Sequence, residues 1–390
     1  MSATTTNPAV LPASEGSLLQ RVLRGAVTPG GAVFLLAAVL LVAVVWINPS
    51  FGEPPQLIRF IGRTAPIAIA AMGQYYVIVA GEFDLSMGAV VATQVVIAGN
   101  YIGEDESRVL PALLLMLLVG AAVGLVNGLA TTLLKVPSFI VTLGTMLALG
   151  GLVRFLTGGA ATGNPVDTFR EIGRGGIQDV PVLDVLPYPV IIFAAMAVFG
   201  VLLMRSPFGR TLMATGDNPD AAGLAGAHVW WVKTRAFMLS SLSATVAGIL
   251  LVGYAGVHPS VGAGYEFQAI TAVVLGGVVL GGGRGWILSA AAGAFALELL
   301  FSFLNFQEVE STWRASVQGL IIILAVAATA RAWSFGRRPS STSTPPSAPP
   351  STPTSTPPST PTSDPVPPSR PAAPAPSPTP ARPGTETGEN

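Results

Sequence analysis

The sequence predicts an all-α polytopic membrane protein, with about ten transmembrane helices in two inverted halves and a disordered Pro/Ser/Thr-rich C-terminal tail. Three observations carry that expectation. Hydrophobic residues make up 51% of the 390 and charged residues only 10%, against roughly a quarter charged in a soluble domain. Mean hydropathy is +0.62, and uncharged runs close to the length of about 20 residues that crosses a hydrocarbon core recur along the chain. Residues 339–390 hold 18 of the 34 prolines and no Ile, Leu, Met, Phe, Tyr or Trp. Such a segment cannot bury enough apolar surface to offset the entropy of ordering it.

The first 30 residues are polar and punctuated by Gly and Pro, and read as a cytoplasmic N-terminal segment. No small-x-small cleavage site follows the apolar run 31–48, which therefore reads as a first span rather than a signal peptide. Further spans are expected at 64–81, 85–103, 109–134, 136–153, 185–204, 236–257, 267–283, 285–307 and 313–330. The organisation is then a cytoplasmic segment over 1–30, a transmembrane domain over 31–331 and a cytoplasmic tail over 332–390. With both termini cytoplasmic, the inner loops carry eleven Lys and Arg against seven outside, tail excluded, as the positive-inside rule expects. All six Trp fall at or near span ends, where interfacial anchors belong. Five spans per half is an odd number, so the two halves must run in opposite orientations, a common transporter construction. Glu82-Phe83 and Glu266-Phe267 stand 184 residues apart, each leading into a Val-rich run at corresponding places in the two halves.

Within GEFDLSMG, residues 81–88, Glu82 and Asp84 interrupt apolar runs on both sides. A buried carboxylate in a bilayer must face protein, water or a partner. Asp84 or Ser86 can cap the helix that follows. Two compatible readings stand: a turn whose acids are wetted by cytoplasm, and a broken-helix element lining a polar pathway. In GAAVGLVNG, Gly120, Gly124 and Gly128 share one helix face and predict close helix packing, with Asn127 beside it. The loop 206–233 predicts a short helix over 218–226: Asp217 and Asn218 can cap it, Pro219 suits its first turn and Gly226 its end. Isolated helices shorter than about 12 residues are marginal in water, so this one needs a surface. Its Ala221, Ala222, Leu224 and Ala225 are small for a lipid anchor and suit the groove of a protein partner. The Gly-rich stretch 274–285 reads as close helix packing ending in a cytoplasmic turn at Arg284, and Glu298, the one acid within a span, as serving a polar pathway or, the favoured reading, hydrogen-bonding a neighbouring helix near the outer surface.

Absences narrow the chemistry. There is no Cys, and His228 and His258 are too few and too far apart for a zinc site, so no metal or cofactor is expected. A net charge of zero speaks against a nucleic-acid partner. Neither lysine, Lys135 or Lys233, follows a glycine, so the chain has no P-loop and no expected catalytic residue.

From about residue 31 to 331 the chain resembles the membrane permease of ribose-, xylose- and arabinose-type sugar ABC importers. The resemblance rests on GEFDLSMG, NGLATTLLKVPSFIVTLGTMLALGGL, SPFGRTLMATGDNPDAAGLAG and GAGYEFQAITAVVLGGVVLGGGRG, in that order. Glu82-Phe83 stands where the family often has Gly-Ile, and Ala227 where an Ile is usual after the loop glycine. The resemblance implies a homodimer in the cytoplasmic membrane, a separate cytoplasmic ATPase, an extracellular solute-binding protein and a monosaccharide substrate. It implies an ATPase-coupling helix around Gly216, Asn218, Pro219, Ala221, Ala222 and Gly226. Glu82, Asp84, Ser86 and Glu266 are the candidates for the pathway or helix break. Alternatives are an ion-gradient-driven secondary transporter, with Glu82, Asp84 and Glu298 as carriers, and a related permease for nucleosides or branched-chain amino acids.

Overall fold

Prolines at helix starts and glycines at helix ends punctuate the chain in the computed structural model, which describes residues 29–160, 163–310 and 312–336. The predicted N-terminal segment before residue 29 and the predicted tail after residue 336 lie outside the described residues. Helices α1 (Pro29–Ile47) and α2 (Pro54–Val79) are followed by a non-helical break and by α3 (Met87–Ile97), which continues through a π-turn to Ile102. Next come α4 (Val109–Leu133), α5 (Ser138–Thr157), α6 (Asp167–Arg174) and an antiparallel hairpin of β1 (Gly176–Val180) and β2 (Asp184–Pro187). The remainder is helical: α7 (Tyr188–Arg205), α8 (Pro207–Asp217), α9 (Pro219–Leu224), α10 (Val229–Ala255), α11 (Tyr265–Leu275), α12 (Ile287–Phe306) and α13 (Trp313–Gly336).

Among the described residues, six helices are long and apolar enough to cross a membrane: α1, α4 with its preceding turn, α5, α7, α10 and α12. Shorter apolar helices cover Met87–Ile102, Tyr265–Leu275 and Trp313–Leu324. A polytopic helical membrane protein is thus the fold class, as the composition requires. The predicted span 267–283 is corrected: α11 ends at Leu275, and 276–286 is irregular. Glycine is the cause. Gly277, Gly282, Gly283 and Gly285 all have positive φ, a backbone that a helix cannot use and other residues reach only with strain. Helix α6 and the hairpin, between α5 and α7, carry no strong apolar pattern and were not foreseen.

The helices divide by what surrounds them. Every residue from Thr64 to Val79 of α2 is buried, and α10 and α12 are buried along most of their length. By contrast α4 and α5 turn Leu110, Leu114, Leu118, Leu147 and Phe155 outward, the aliphatic face that lipid solvates without cost. The predicted glycine face of α4 packs on α10. A Cβ at Gly124 or Gly128 would lie 2.6 Å from Met238 Cα or Thr234 Cα, so only glycine lets the two backbones approach this closely. The amphipathic α6 docks on the far end of α10 with Phe169 buried, and a Cβ on Gly173 would lie 2.9 Å from Gly253 Cα.

Candidate functional site

Helix α2 ends at Val79, and Gly81, at φ +80°, turns the chain into a non-helical segment that lasts to Ser86. A non-helical segment inside a membrane protein must have its backbone satisfied by other groups, here side chains. Phe83 N donates to Ser138 Oγ and Leu85 N to Thr142 Oγ1, each at 3.1 Å. Ser138 and Thr142 are one turn apart at the start of α5. The Gln74 side-chain amide of α2, oriented to suit both partners, donates to Asp84 O at 3.2 Å and accepts from Asp84 N at 3.3 Å.

Asp84 is fully buried. Its Oδ1 accepts from Ser86 N at 2.9 Å and Ser86 Oγ at 2.6 Å, and its Oδ2 accepts from Ser240 Oγ of α10 at 2.7 Å. Asn127 Nδ2 donates to Ser86 Oγ at 2.9 Å, and Thr145 Oγ1 to Asn127 Oδ1 at 2.6 Å. One carboxylate therefore gathers the break, α4, α5 and α10 into a single buried network. Asp84 is not wetted, which corrects the turn reading for this residue. Ser86 occupies the N-cap position of α3, yet its side chain does not cap the helix: its hydroxyl donates to Asp84 and accepts from Asn127. Glu82 has a different environment. It forms an ion pair with Lys233 at 2.6 Å, with both side chains 16% exposed, joining the break to the first turn of α10.

Glu266 is buried in the first turn of α11, whose N-cap is Gly264 at φ +86°. Its predicted equivalence with Glu82 does not hold. Glu82 lies in the break ahead of α3, whereas Glu266 is the second residue of its helix and matches Gly88 of α3 in register. These two positions meet. A Cβ on Gly88 would overlap the Glu266 carboxylate and Gly262 O. Two 11-residue helices, each preceded by a non-helical segment, thus bring their N-terminal ends together around one carboxylate. Beside them lies a cavity of about 220 Å³, lined by Gly88, Ala92, Gly150, Arg154, Ser260 and Glu266. Glu298 lines a separate cavity of about 440 Å³ with Arg59 and Arg63, and among the described residues its carboxylate hydrogen-bonds no neighbouring helix.

The loop helix forms as its capping pattern dictates. Asn218 Oδ1 accepts from Ala221 N at 3.0 Å, Pro219 is the first helical residue, and Gly226, at φ +88°, turns the chain out of it. Two details depart from expectation. Helix α8 precedes it directly, making a pair of short helices, and Ala222 faces inward at 6% exposure. Ala222 therefore holds α9 onto the chain, and Leu224, 92% exposed, dominates the outer face. Gly216 is likewise internal: a Cβ there would overlap Val79 O and lie 2.6 Å from Gly283 N. Gly283 N donates to Val79 O at 2.9 Å. The end of α8 is thereby wedged against the end of α2, where the break begins, and against the glycine-rich 276–286 segment.

Sequence reasoning missed Gln74, Ser138, Thr142, Ser240 and Lys233 as site residues, and placed Asn127 only beside a packing face. A signal existed for some of them: Ser138 and Thr142 are polar residues four apart in an apolar run, and Asn127 is the lone amide of α4.

Buried helices and a polar break whose backbone is satisfied by side chains are the build of a polytopic membrane protein with a polar interior. The chain belongs to the permease family of binding-protein-dependent ABC importers, because residues 56–326 match the family described as branched-chain amino acid transport system / permease component. It is 35% identical over 301 residues to the ribose import permease protein RbsC of Bacillus subtilis, covering 75% of this chain and 90% of that one. It is 32% identical over 307 residues to the L-arabinose transport system permease protein AraH of Escherichia coli, 75% and 88%. The autoinducer 2 import system permease protein LsrC of Photorhabdus laumondii is 31% identical over 271 residues, 69% and 79%. No solved structure matches.

Proposed function

We propose that this chain is the translocation subunit that moves a monosaccharide of the ribose or arabinose type across the cytoplasmic membrane. It would act as a homodimer with a cytoplasmic ATPase and an extracellular binding protein. The observation that carries the reading is the meeting of α3 and α11 at Gly88 and Glu266. Half-helix N-termini carry partial positive charge and in transporters often face an anionic ligand. Here the protein's own Glu266 occupies that place, and Arg154 lines the same cavity. A cavity that holds one acid and one base among small and apolar residues suits a neutral polyhydroxyl solute better than an amino acid, which would bring a carboxylate and an ammonium to be neutralised.

Ten spans with both termini inside follow if α2 and the three shorter apolar helices join the six long ones. This topology puts α8, α9, the Glu82–Lys233 pair and the 276–286 segment on the cytoplasmic side. ATPase closure would move α9, and the wedge at Gly216 would transmit that motion to Val79 and the break. A pathway role for Glu82, Asp84, Ser86 and Glu266 then takes two forms. Asp84 and Ser86 fix the break, while Glu82 and Glu266 border its two ends. Asp84, saturated by hydrogen bonds inside the bundle, is poorly placed to carry an ion, which disfavours the gradient-driven alternative. The test is reconstitution with the cognate ATPase and binding protein. ATP-dependent pentose uptake is expected; uptake driven by an ion gradient without ATPase would overturn the reading.

A further inference from the structure

The only two lysines of the chain line the same pocket. It has a volume of about 350 Å³ and lies between the end of α4, the linker to α5, Glu82 of the break and the first turn of α10. The other 18 basic residues are arginines, so both lysines of the chain border this one pocket. Lys233 is paired with Glu82, the single acid in the wall. Lys135, held at φ +54° just past the end of α4, makes no ion pair among the described residues. A second observation points to a ligand. Thr131, 7% exposed and in the pocket wall, has a buried hydroxyl with no hydrogen-bond partner. Such a group costs free energy unless something occupies it. Its neighbour Thr132 is satisfied by Gly128 O at 2.7 Å. Trp230, half exposed at the rim, belongs at a membrane–water interface.

We propose that this pocket binds a phosphate group, from Lys135 and the Thr131 hydroxyl, with Lys233 shared between the phosphate and Glu82. Lysine serves a tetrahedral oxyanion as a point charge, and a hydroxyl supplies the directional donor. After the Glu82–Lys233 pair is counted, one positive charge remains for the ligand. Two sources present this chemistry on the cytoplasmic side: an anionic lipid headgroup, which basic pockets between spanning helices hold, and a free phosphate. The side rests on the topology proposed above; the pocket itself does not. A bound phosphate competes with Glu82 for Lys233, so it would loosen the contact between the break and α10 and make transport responsive to its occupancy.

The test is binding to the intact purified chain, which needs neither ATPase nor sugar and so can fail independently of the transport reading. Native mass spectrometry would count phosphatidylglycerol retained per chain against phosphatidylcholine, for wild type, Lys135→Gln and Thr131→Val. Lys135 is exposed and Thr131→Val preserves shape, and an unchanged melting curve would verify that both variants fold. One preferentially retained phosphatidylglycerol, weakened about tenfold by Lys135→Gln through loss of a charge-assisted contact, supports a lipid source. Displacement of that lipid by inorganic phosphate, or phosphate binding without lipid preference that both variants weaken, supports a free-anion source. Equal retention of both lipids by all three proteins, with no effect of phosphate, overturns the proposal.

Discussion

Asp84 Oδ2 accepts a hydrogen bond from Ser240 Oγ at 2.7 Å, tying the break after α2 to the interior of α10. The two residues are 156 positions apart in sequence, in opposite halves of the proposed repeat. Any motion that tilts one half against the other must move this bond or carry both residues together. With Ser86 and Asn127 attached to the same carboxylate network, the break behaves as a fixed part of the bundle and not as a loose loop.

Asp84→Ala should therefore be severe. It leaves Ser240 Oγ, Ser86 Oγ and Ser86 N short of an acceptor in a buried site, and each buried group left unsatisfied costs about 1–3 kcal/mol. Glu82→Ala removes a partly exposed ion pair and should cost less. Thermal unfolding in detergent and abundance in the membrane would rank the two. A stable Asp84→Ala beside a collapsed Glu82→Ala would contradict the network.

The Glu82–Lys233 pair is expected to show coupling in a double-mutant cycle. Glu82→Gln and Lys233→Gln each unpair a charge at 16% exposure, while the double variant leaves none. Contacting pairs give interaction energies of about 0.5–3 kcal/mol, and partial solvent screening puts this one toward the low end. Unfolding free energies that simply add across the two sites would show that the pair contributes nothing.

What was legible in the sequence follows the strength of the local signal. Uniformly apolar runs gave the helices, and the caps of α9 at Asn218 and Gly226 were readable because N-cap and left-handed positions demand particular residues. The short α11 was read too long, because valines and leucines among the glycines of 274–281 keep hydropathy high while the glycines free the backbone. Ala222 and Gly216 were assigned to a partner surface, yet small residues fit a partner's groove and the chain's own interior equally well. Only the position of α2 and the 276–286 segment decides between them. The Asp84 network was invisible for the same reason, since its members come from five separated segments.

Gly88→Val is expected to block transport while sparing assembly. Gly88 abuts Glu266 and Gly262, and any Cβ would push the carboxylate out of its place between the two helix ends. Overpacking of this kind costs about 1–3 kcal/mol, below what removes a membrane protein from its membrane but enough to close the adjacent cavity. Sugar uptake should fall at least tenfold, with normal membrane abundance and normal co-purification of the ATPase. Normal uptake would show that the solute does not pass this junction.

Leu224→Asp tests the docking face, and Ala222→Trp is its internal control. Leu224 is 92% exposed and packs on nothing that the chain itself supplies, so changing it should leave the permease folded. Burying one leucine in a partner is worth about 1.5–3 kcal/mol, and loss of that contact corresponds to roughly a ten- to hundredfold weaker complex. Co-purified ATPase and sugar-stimulated ATP hydrolysis should both drop in Leu224→Asp, with the melting curve of the permease unchanged. Ala222→Trp should behave differently. Its side chain must enter the space between α9 and the rest of the chain, so it should lower the unfolding midpoint of the isolated permease as well as the ATPase yield. If Leu224→Asp keeps full ATPase recovery and full ATP-dependent uptake, the exposed face of α9 is not the coupling surface.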